Sequence, residues 1–252
     1  MKIVNNILHG LLFIYVFCVC LSISFAGQFI TEDPVPIEYE HYEINPCISE
    51  TKVKKFKVSQ LPAAEMNVGV YPEFQAHLIS GALFVAPPNS PDAYGYEDTE
   101  IGLKYRFIQE TDTFPQVGFY PKLTLPSGDA KLGTGVGGMT ESVPLWFLKS
   151  WGSWKLSGGG GYTFSQAPHT FNFPFGGLLL QRGITEALTL GGELYSQGKS
   201  FPNYRSTLIF TYGGNYNFTK EFGILFSVGH SIAGERVLTG YIGLDWVLGP
   251  SS

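Results

Sequence analysis

Between Glu100 and Phe107, charged or small residues (Glu100, Gly102, Lys104, Arg106) alternate strictly with apolar ones (Ile101, Leu103, Tyr105, Phe107). A period of two is that of a β-strand, whose side chains point to opposite faces in turn. After a short polar turn, Gln109 to Pro115, the alternation resumes. Val117, Phe119, Pro121, Leu123 and Leu125 fall on one side, and Gly118, Tyr120, Lys122 and Thr124 on the other. The stretch therefore reads as an antiparallel hairpin with one charged face and one greasy face. In a soluble sandwich a second sheet would cover the greasy face; the rest of the chain decides between that cover and lipid.

Residues 1–26 read as an export signal. Lys2 gives a positive start, Leu11 to Leu21 is an unbroken apolar run, and Ser24, Phe25 and Ala26 offer a cleavage site. The run is shorter than the roughly 20 residues of a membrane-spanning helix. Bulky Val16, Phe17 and Val19 around Cys18 and Cys20 argue against a lipoprotein signal. Cleavage after Ala26 leaves 226 of the 252 residues, the size of one large all-β domain. Without Lys2, 15 basic and 21 acidic residues remain, a net charge of −6, which disfavours nucleic acid as a partner. Cys47 is then the one cysteine left, so no intramolecular disulfide forms.

Gly27 to Glu38, with Pro34, Pro36, Glu32 and Asp33, reads as an extended periplasmic arm, and residues 39–252 as the barrel. Period-two segments separated by turn residues follow to the end of the chain. The first runs from Tyr39 to Ile48 and the second from Val58 to Val70, with a lysine-bearing segment (Lys52, Lys54, Lys55, Lys57) between them. A glycine-rich connection, Gly128 to Glu141, follows the opening hairpin, and Arg236 to Leu248 is the last strand. Connections are long after odd-numbered strands and mostly short after even-numbered ones, the eleventh connection excepted. Glycine (31 residues) and aromatic rings (15%) complete the pattern of an outer-membrane protein. The expected fold is all-β: a closed, antiparallel, up-and-down transmembrane β-barrel of about 12 strands. Closure follows from physics, since in hydrocarbon every backbone N–H and C=O must be bonded within the protein, so the first strand must pair with the last.

An arginine or lysine facing lipid at mid-bilayer costs roughly 2–4 kcal/mol. Glu100, Lys104, Arg106, Lys122, Glu193 and Asp245 are accordingly assigned to the lumen, where they either line a pathway or neutralise one another. Inward glycines (Gly102, Gly118, Gly159, Gly161, Gly191, Gly213) remove volume from the lumen or relieve strain in a curved sheet. Trp146, Trp151, Trp154 and Trp246 are assigned to belts at the lipid interface. The loop Gly128 to Glu141 reads as a mobile tip or an excursion into the barrel mouth, the tip being preferred.

The segments TEDPVPIEYEHYEIN (Thr31 to Asn45), YGYEDTEIGLKYRFIQE (Tyr94 to Glu110), LPSGDAKLG (Leu125 to Gly133) and LLLQRGIT (Leu178 to Thr185) resemble the outer-membrane transporter family named for the MetA pathway of phenol degradation. The resemblance runs in order along nearly the whole mature chain. It implies a barrel in the bacterial outer membrane that takes up aromatic compounds, and it brings no catalytic motif. The ending WVLGPSS places no aromatic at the terminus, so recognition by the barrel-assembly machinery falls to Trp246.

Function is thus expected to be passive passage of small molecules, with hydrophobic or aromatic compounds as the class the resemblance implies. A structural or surface-interaction barrel without an open channel is one alternative, and a lipid-modifying enzyme another. The latter needs a serine and histidine on one face. His230 and Ser231 are adjacent in a strand and face opposite sides. The chain is expected not to be an enzyme. His41 and His77 belong to no compact ligand cluster, and Gly158 to Gly161 lacks the lysine and helix of a phosphate loop, so close strand packing explains it. No metal or cofactor is expected. The expected surroundings are outer-membrane lipid and lipopolysaccharide, which Lys52 to Lys57 could touch if they are not simply solvated, and a small-molecule solute.

Overall fold

A computed structural model describes residues 27–88 and 90–250; residues 1–26, read above as an export signal, lie outside them. Among these residues every regular element is a strand. The twelve strands are β1 (Tyr42–Val53), β2 (Phe56–Tyr71), β3 (Phe74–Ala86), β4 in two pieces (Ala93–Tyr96 and Thr99–Ile108), β5 in two pieces (Gln116–Phe119 and Lys122–Leu125), β6 (Thr140–Trp151), β7 (Trp154–Ser165), β8 (Phe173–Gly183), β9 (Leu188–Gln197), β10 (Thr207–Asn217), β11 (Phe222–Gly234) and β12 (Val237–Leu248). Each pairs antiparallel with its neighbour in sequence, both pieces of β4 with β3 and both pieces of β5 with β6. Strand β1 pairs with β12 from Tyr42↔Leu248 to Val53↔Val237, so the sheet closes on itself as the hydrogen-bond argument requires.

The outer face is apolar. Ile101, Leu103, Tyr105 and Phe107 of the opening strand are all exposed, as are Leu238, Ile242, Leu244 and Trp246 of β12. The inner face is polar and buried, with Asn45, Gln75, His77, Lys104, Glu193 and Thr211 among its side chains. This inversion, greasy outside and polar inside, is what lipid on one side of a sheet selects. We call the end carrying the Pro72–Glu73 turn the base, and the end carrying the 126–139 connection the rim.

One local departure from the sequence reading, at the first hairpin, has a simple cause. Strand β1 continues to Val53 and β2 begins at Phe56, because Lys52 and Lys57 pair in register and leave only Lys54 and Lys55 to turn. The lysine-bearing segment is thus the tip of a hairpin. Likewise Trp151 pairs with Trp154 across a turn of Gly152 and Ser153.

The larger departure concerns the segment expected to extend outside as a periplasmic arm. Residues 27–38 instead run inside the barrel. The arm bends over the base, where Glu40 N donates to Gly69 O (2.9 Å) and Gly69 N donates to His41 O (3.0 Å). From there it rises through the lumen, burying Phe29, Thr31 and Pro34. Ile30 packs against two groups of wall residues, Cys47, Ala63, Leu225 and Tyr241 on one side and Val53, Ile209 and Val237 on another. Close passage relies on small wall residues: a Cβ on Gly118 would lie 2.7 Å from Pro34, and one on Gly177 would overlap Thr31 Oγ1. Glycine at these inward positions therefore makes room for a strap of the protein's own chain.

Candidate functional site: the filled lumen and the cavity above it

At mid-height the arm is held by charge. Glu32 pairs with Lys122 (2.8 Å) and Lys104 (3.7 Å), and Lys122 also reaches Glu100 (3.5 Å). Glu100 lies 3.3 Å from His77, which meets Glu65 (3.3 Å) through its other ring nitrogen. The Tyr120 ring, almost completely buried, is flanked by Lys104 and Lys122 at 4.7 and 4.6 Å and meets His77 edge-on. Across the lumen the Thr31 amide donates to the Glu193 carboxylate. Nearer the base, Ile37 N donates to Gln75 Oε1 (2.8 Å) and Lys104 Nζ to the Val35 carbonyl (3.5 Å). Buried charges persist only when paired, and here the arm supplies partners to two lysines of the wall.

The six charged residues assigned to the lumen from sequence do not form one cluster. Glu100, Lys104 and Lys122 belong to the network around the arm, and Glu193 sits opposite. Arg106 lies at the base, bonded to Glu73 of the β2–β3 turn and donating to Gln116 (2.8 Å). Asp245, also near the base, accepts from Asn45 (3.2 Å). Alternation put Tyr120 on the same side as Lys122, but sequence reasoning named only charged residues as candidates and so did not count this ring as a member.

Above the arm, toward the rim, lies a cavity of about 240 Å³. Phe29 of the arm and Trp146, Phe173, Phe175, Tyr195 and Phe201 are among the residues lining it. The 126–139 connection folds inward over it instead of standing as a mobile tip. Asp98 accepts from Gly128 N and Val136 N, both at 2.8 Å, and Thr134, Gly135 and Val136 join the lining.

Of the four tryptophans assigned to lipid belts, Trp151, Trp154 and Trp246 are on the outer surface, but Trp146 is only 2% exposed and faces the lumen. Its neighbour Leu145 is 50% exposed and takes the lipid side. The indole fits because Gly159 lies directly across from it on β7: a Cβ there would come within 2.8 Å of Trp146 Cε3. Phe175 lies across from Gly161 on the far side of the same strand, so the Trp146 and Phe175 rings approach to 6.3 Å over a strip without side chains. Phe175 in turn stacks with Tyr195 at 6.4 Å. The glycine run of β7 thus lets one aromatic ladder cross four strands of the inner wall.

His230 and Ser231 do not make a catalytic pair. The imidazole Nδ1 contacts the Ser231 carbonyl (3.2 Å), while Ser231 Oγ accepts from Val237 N (2.9 Å).

Solved structures share the fold at low identity. The crystal structure of an outer membrane channel from Pseudomonas putida F1 matches with a TM-score of 0.67 and 14% identity, covering 90% of this chain and 100% of that one. The KdgM porin matches with a TM-score of 0.57 and 11% identity over 81% of this chain and 98% of that one. The β domain of the Bordetella autotransporter BrkA gives 0.54 and 10% over 82% and 99%. At these identities the likeness is one of fold. No curated protein sequence matches the chain. Residues 61–244, most of the barrel from β2 to β12, match the family described as "Putative MetA-pathway of phenol degradation", and the chain belongs to that family.

Proposed function

We propose that this protein is a bacterial outer-membrane channel for the passive passage of small hydrophobic or aromatic molecules. The observation that carries the reading is the aromatic-lined cavity of about 240 Å³ enclosed within a closed transmembrane barrel, directly above a segment of chain that is not itself part of the wall. An apolar ring entering from the rim meets rings such as Trp146 and Phe175 set among polar side chains such as Gln60, Glu97 and Asp98. Its onward path is the space the arm occupies, and the arm is held by side-chain contacts that can exchange without breaking the strand ladder. The family's description and the channel and porin named among the similar folds support the same reading. In this orientation the base is periplasmic and the rim faces outward, with short turns inside and longer loops outside.

A second reading, a barrel without an open channel, draws on the pairing of Glu32, Lys104, Lys122 and Glu100, which leaves these charges neutralising one another. Planar-bilayer conductance and solute uptake by liposomes separate the two. The channel reading expects weak ion conductance from the mature protein, larger steps once residues 27–38 are removed, and uptake of phenol by liposomes carrying the intact protein. No uptake by intact protein, with no conductance after arm removal, would leave the closed barrel.

A further inference from the structure

Strand pairing sets His230 (β11), Leu238 (β12), Lys52 (β1) and Lys57 (β2) side by side in one row just below the rim. His230 pairs with Leu238, Leu238 with Lys52, and Lys52 with Lys57. Residues directly opposite each other in antiparallel strands share a face. Leu238 is 54% exposed on the outer face, so the two lysines and the histidine face outward with it. Four residues nearer mid-barrel, Phe226, Ile242 and Ile48 pair into a row that is wholly apolar. At about 3.4 Å per residue, roughly 14 Å of strand separates the greasy row from the cationic one. The lysines therefore sit where lipid tails give way to headgroups, a height at which a lipid-facing cation costs little.

Directly above the row the β1–β2 and β11–β12 hairpin tips lie together, with Lys54 N donating to Arg236 O (3.2 Å). The nearby acids are already engaged. Glu235, buried on the cavity side, binds Lys54 (3.3 Å), and Glu50 on the outer face binds Lys57 (2.6 Å). Lys52, Lys55 and Arg236 are exposed and have no ion-pair partner among the described residues. Lys52 also stands directly opposite Lys57, a pairing of like charges that an anion between them relieves.

The concentration is local. Acidic residues outnumber basic ones in the chain, 21 to 16. Between β4 and β8 the lipid-facing rim presents Tyr94, Tyr96, Phe164 and Pro174, with no lysine or arginine among the described residues. The other cations at this end, Lys131, Lys199 and Arg205, lie in connections between strands. Clustered lysine and arginine at a membrane surface attract anionic headgroups. Three unpaired charges at two adjoining tips exceed what a phospholipid headgroup of single negative charge neutralises, and match a headgroup bearing several phosphates.

We infer that the outer rim of β11, β12, β1 and β2 is a docking surface for lipopolysaccharide, with Lys52, Lys55 and Arg236 donating to the phosphates of its lipid A headgroup. The inference rests on the outward orientation of the rim given above and not on the passage of any solute.

The test uses the mature protein in neutral detergent, titrated with lipid A bearing two phosphates, with dephosphorylated lipid A and with phosphatidylglycerol, bound lipid being counted by native mass spectrometry. Saturable one-to-one binding of the bisphosphorylated lipid is expected, at least tenfold tighter than that of either other lipid. The triple variant Lys52→Gln/Lys55→Gln/Arg236→Gln should bind it roughly tenfold to a hundredfold more weakly. Removing the same charge elsewhere, in Lys131→Gln/Lys155→Gln/Lys220→Gln, should leave the affinity within about twofold, since screening confines such interactions to roughly 10 Å. Equal losses in the two triple variants, equal binding of phosphatidylglycerol, or displacement by millimolar inorganic phosphate would each overturn the inference. The comparison of lipids in the unsubstituted protein decides the matter even if a variant fails to fold. Phenol uptake by phosphatidylcholine liposomes, which contain no lipid A, keeps the channel reading apart. Uptake without lipid A binding overturns the docking surface and leaves the channel; lipid A binding without uptake leaves the docking surface and removes the channel.

Discussion

Glu32 and Lys122 are 90 positions apart in the chain, yet their side chains meet at 2.8 Å inside the barrel. The contact joins the arm to β5, and through Lys122 to Glu100 on β4, so a segment outside the sheet is tied to two strands of its wall. Breaking a buried pair from one side leaves the other charge uncompensated. We expect Lys122→Gln to lower stability by about 3 kcal/mol, read from urea unfolding in lipid. The double variant Glu32→Gln/Lys122→Gln should cost less than the sum of the two singles, because neither charge is then stranded. Strict additivity would mean that the pair does not hold the arm.

Room for the arm depends on Gly177, whose missing Cβ is replaced by the Thr31 side chain. Gly177→Val should leave the barrel closed and push the arm out. Cleavage after Glu32 by a glutamate-specific protease, followed by mass spectrometry, checks this: the natural protein stays intact at that site and the variant is cut.

At the base, hydrogen bonding from the Arg106 guanidinium holds the Glu73 carboxyl below its ordinary value of 4.5, with Gln109 assisting. A depressed carboxyl contributes stability above the unfolded value and loses it as pH falls through the folded one. Comparing the urea midpoints of the natural protein and Glu73→Gln should therefore show a gap at pH 7 that closes as pH drops below about 4.5. A gap independent of pH would assign the effect to packing.

Leu194 faces outward on β9 beside the fully buried Glu193. Leu194→Arg is expected to cost roughly 2–4 kcal/mol, whereas arginine at exposed Ile184, in the turn that follows β8, should cost no more than about 1 kcal/mol. Equal costs at the two positions would argue that the apolar face is not in lipid.

The barrel was legible in the sequence because its two faces meet different solvents. Where lipid lies on one side and polar groups on the other, as from Glu100 to Phe107, parity alone assigns every side chain. Parity weakens where the inner wall is also apolar. From Ser142 to Lys149 both faces carry hydrophobic residues, so a rule placing tryptophan at the lipid boundary sent Trp146 to the wrong side. The destination of the arm left no local mark. A proline-rich acidic segment looks the same inside a barrel as beside it, and its partners Glu193 and Lys122 come from distant strands. The inward glycines hinted at spare volume, but volume alone does not say whether solvent, a ligand or the chain itself fills it. The aromatic ladder was hidden for a related reason: it depends on a bare strip along β7 that only the register between neighbouring strands reveals.

The arm leads, through the bend at Glu38 to His41, straight into β1, and β1 is one side of the seam that turns the sheet into a ring. The chain that occupies the interior and the chain that shuts it are therefore a few residues apart. Any change in how the β1–β12 seam is set therefore also moves the point from which the arm enters the barrel.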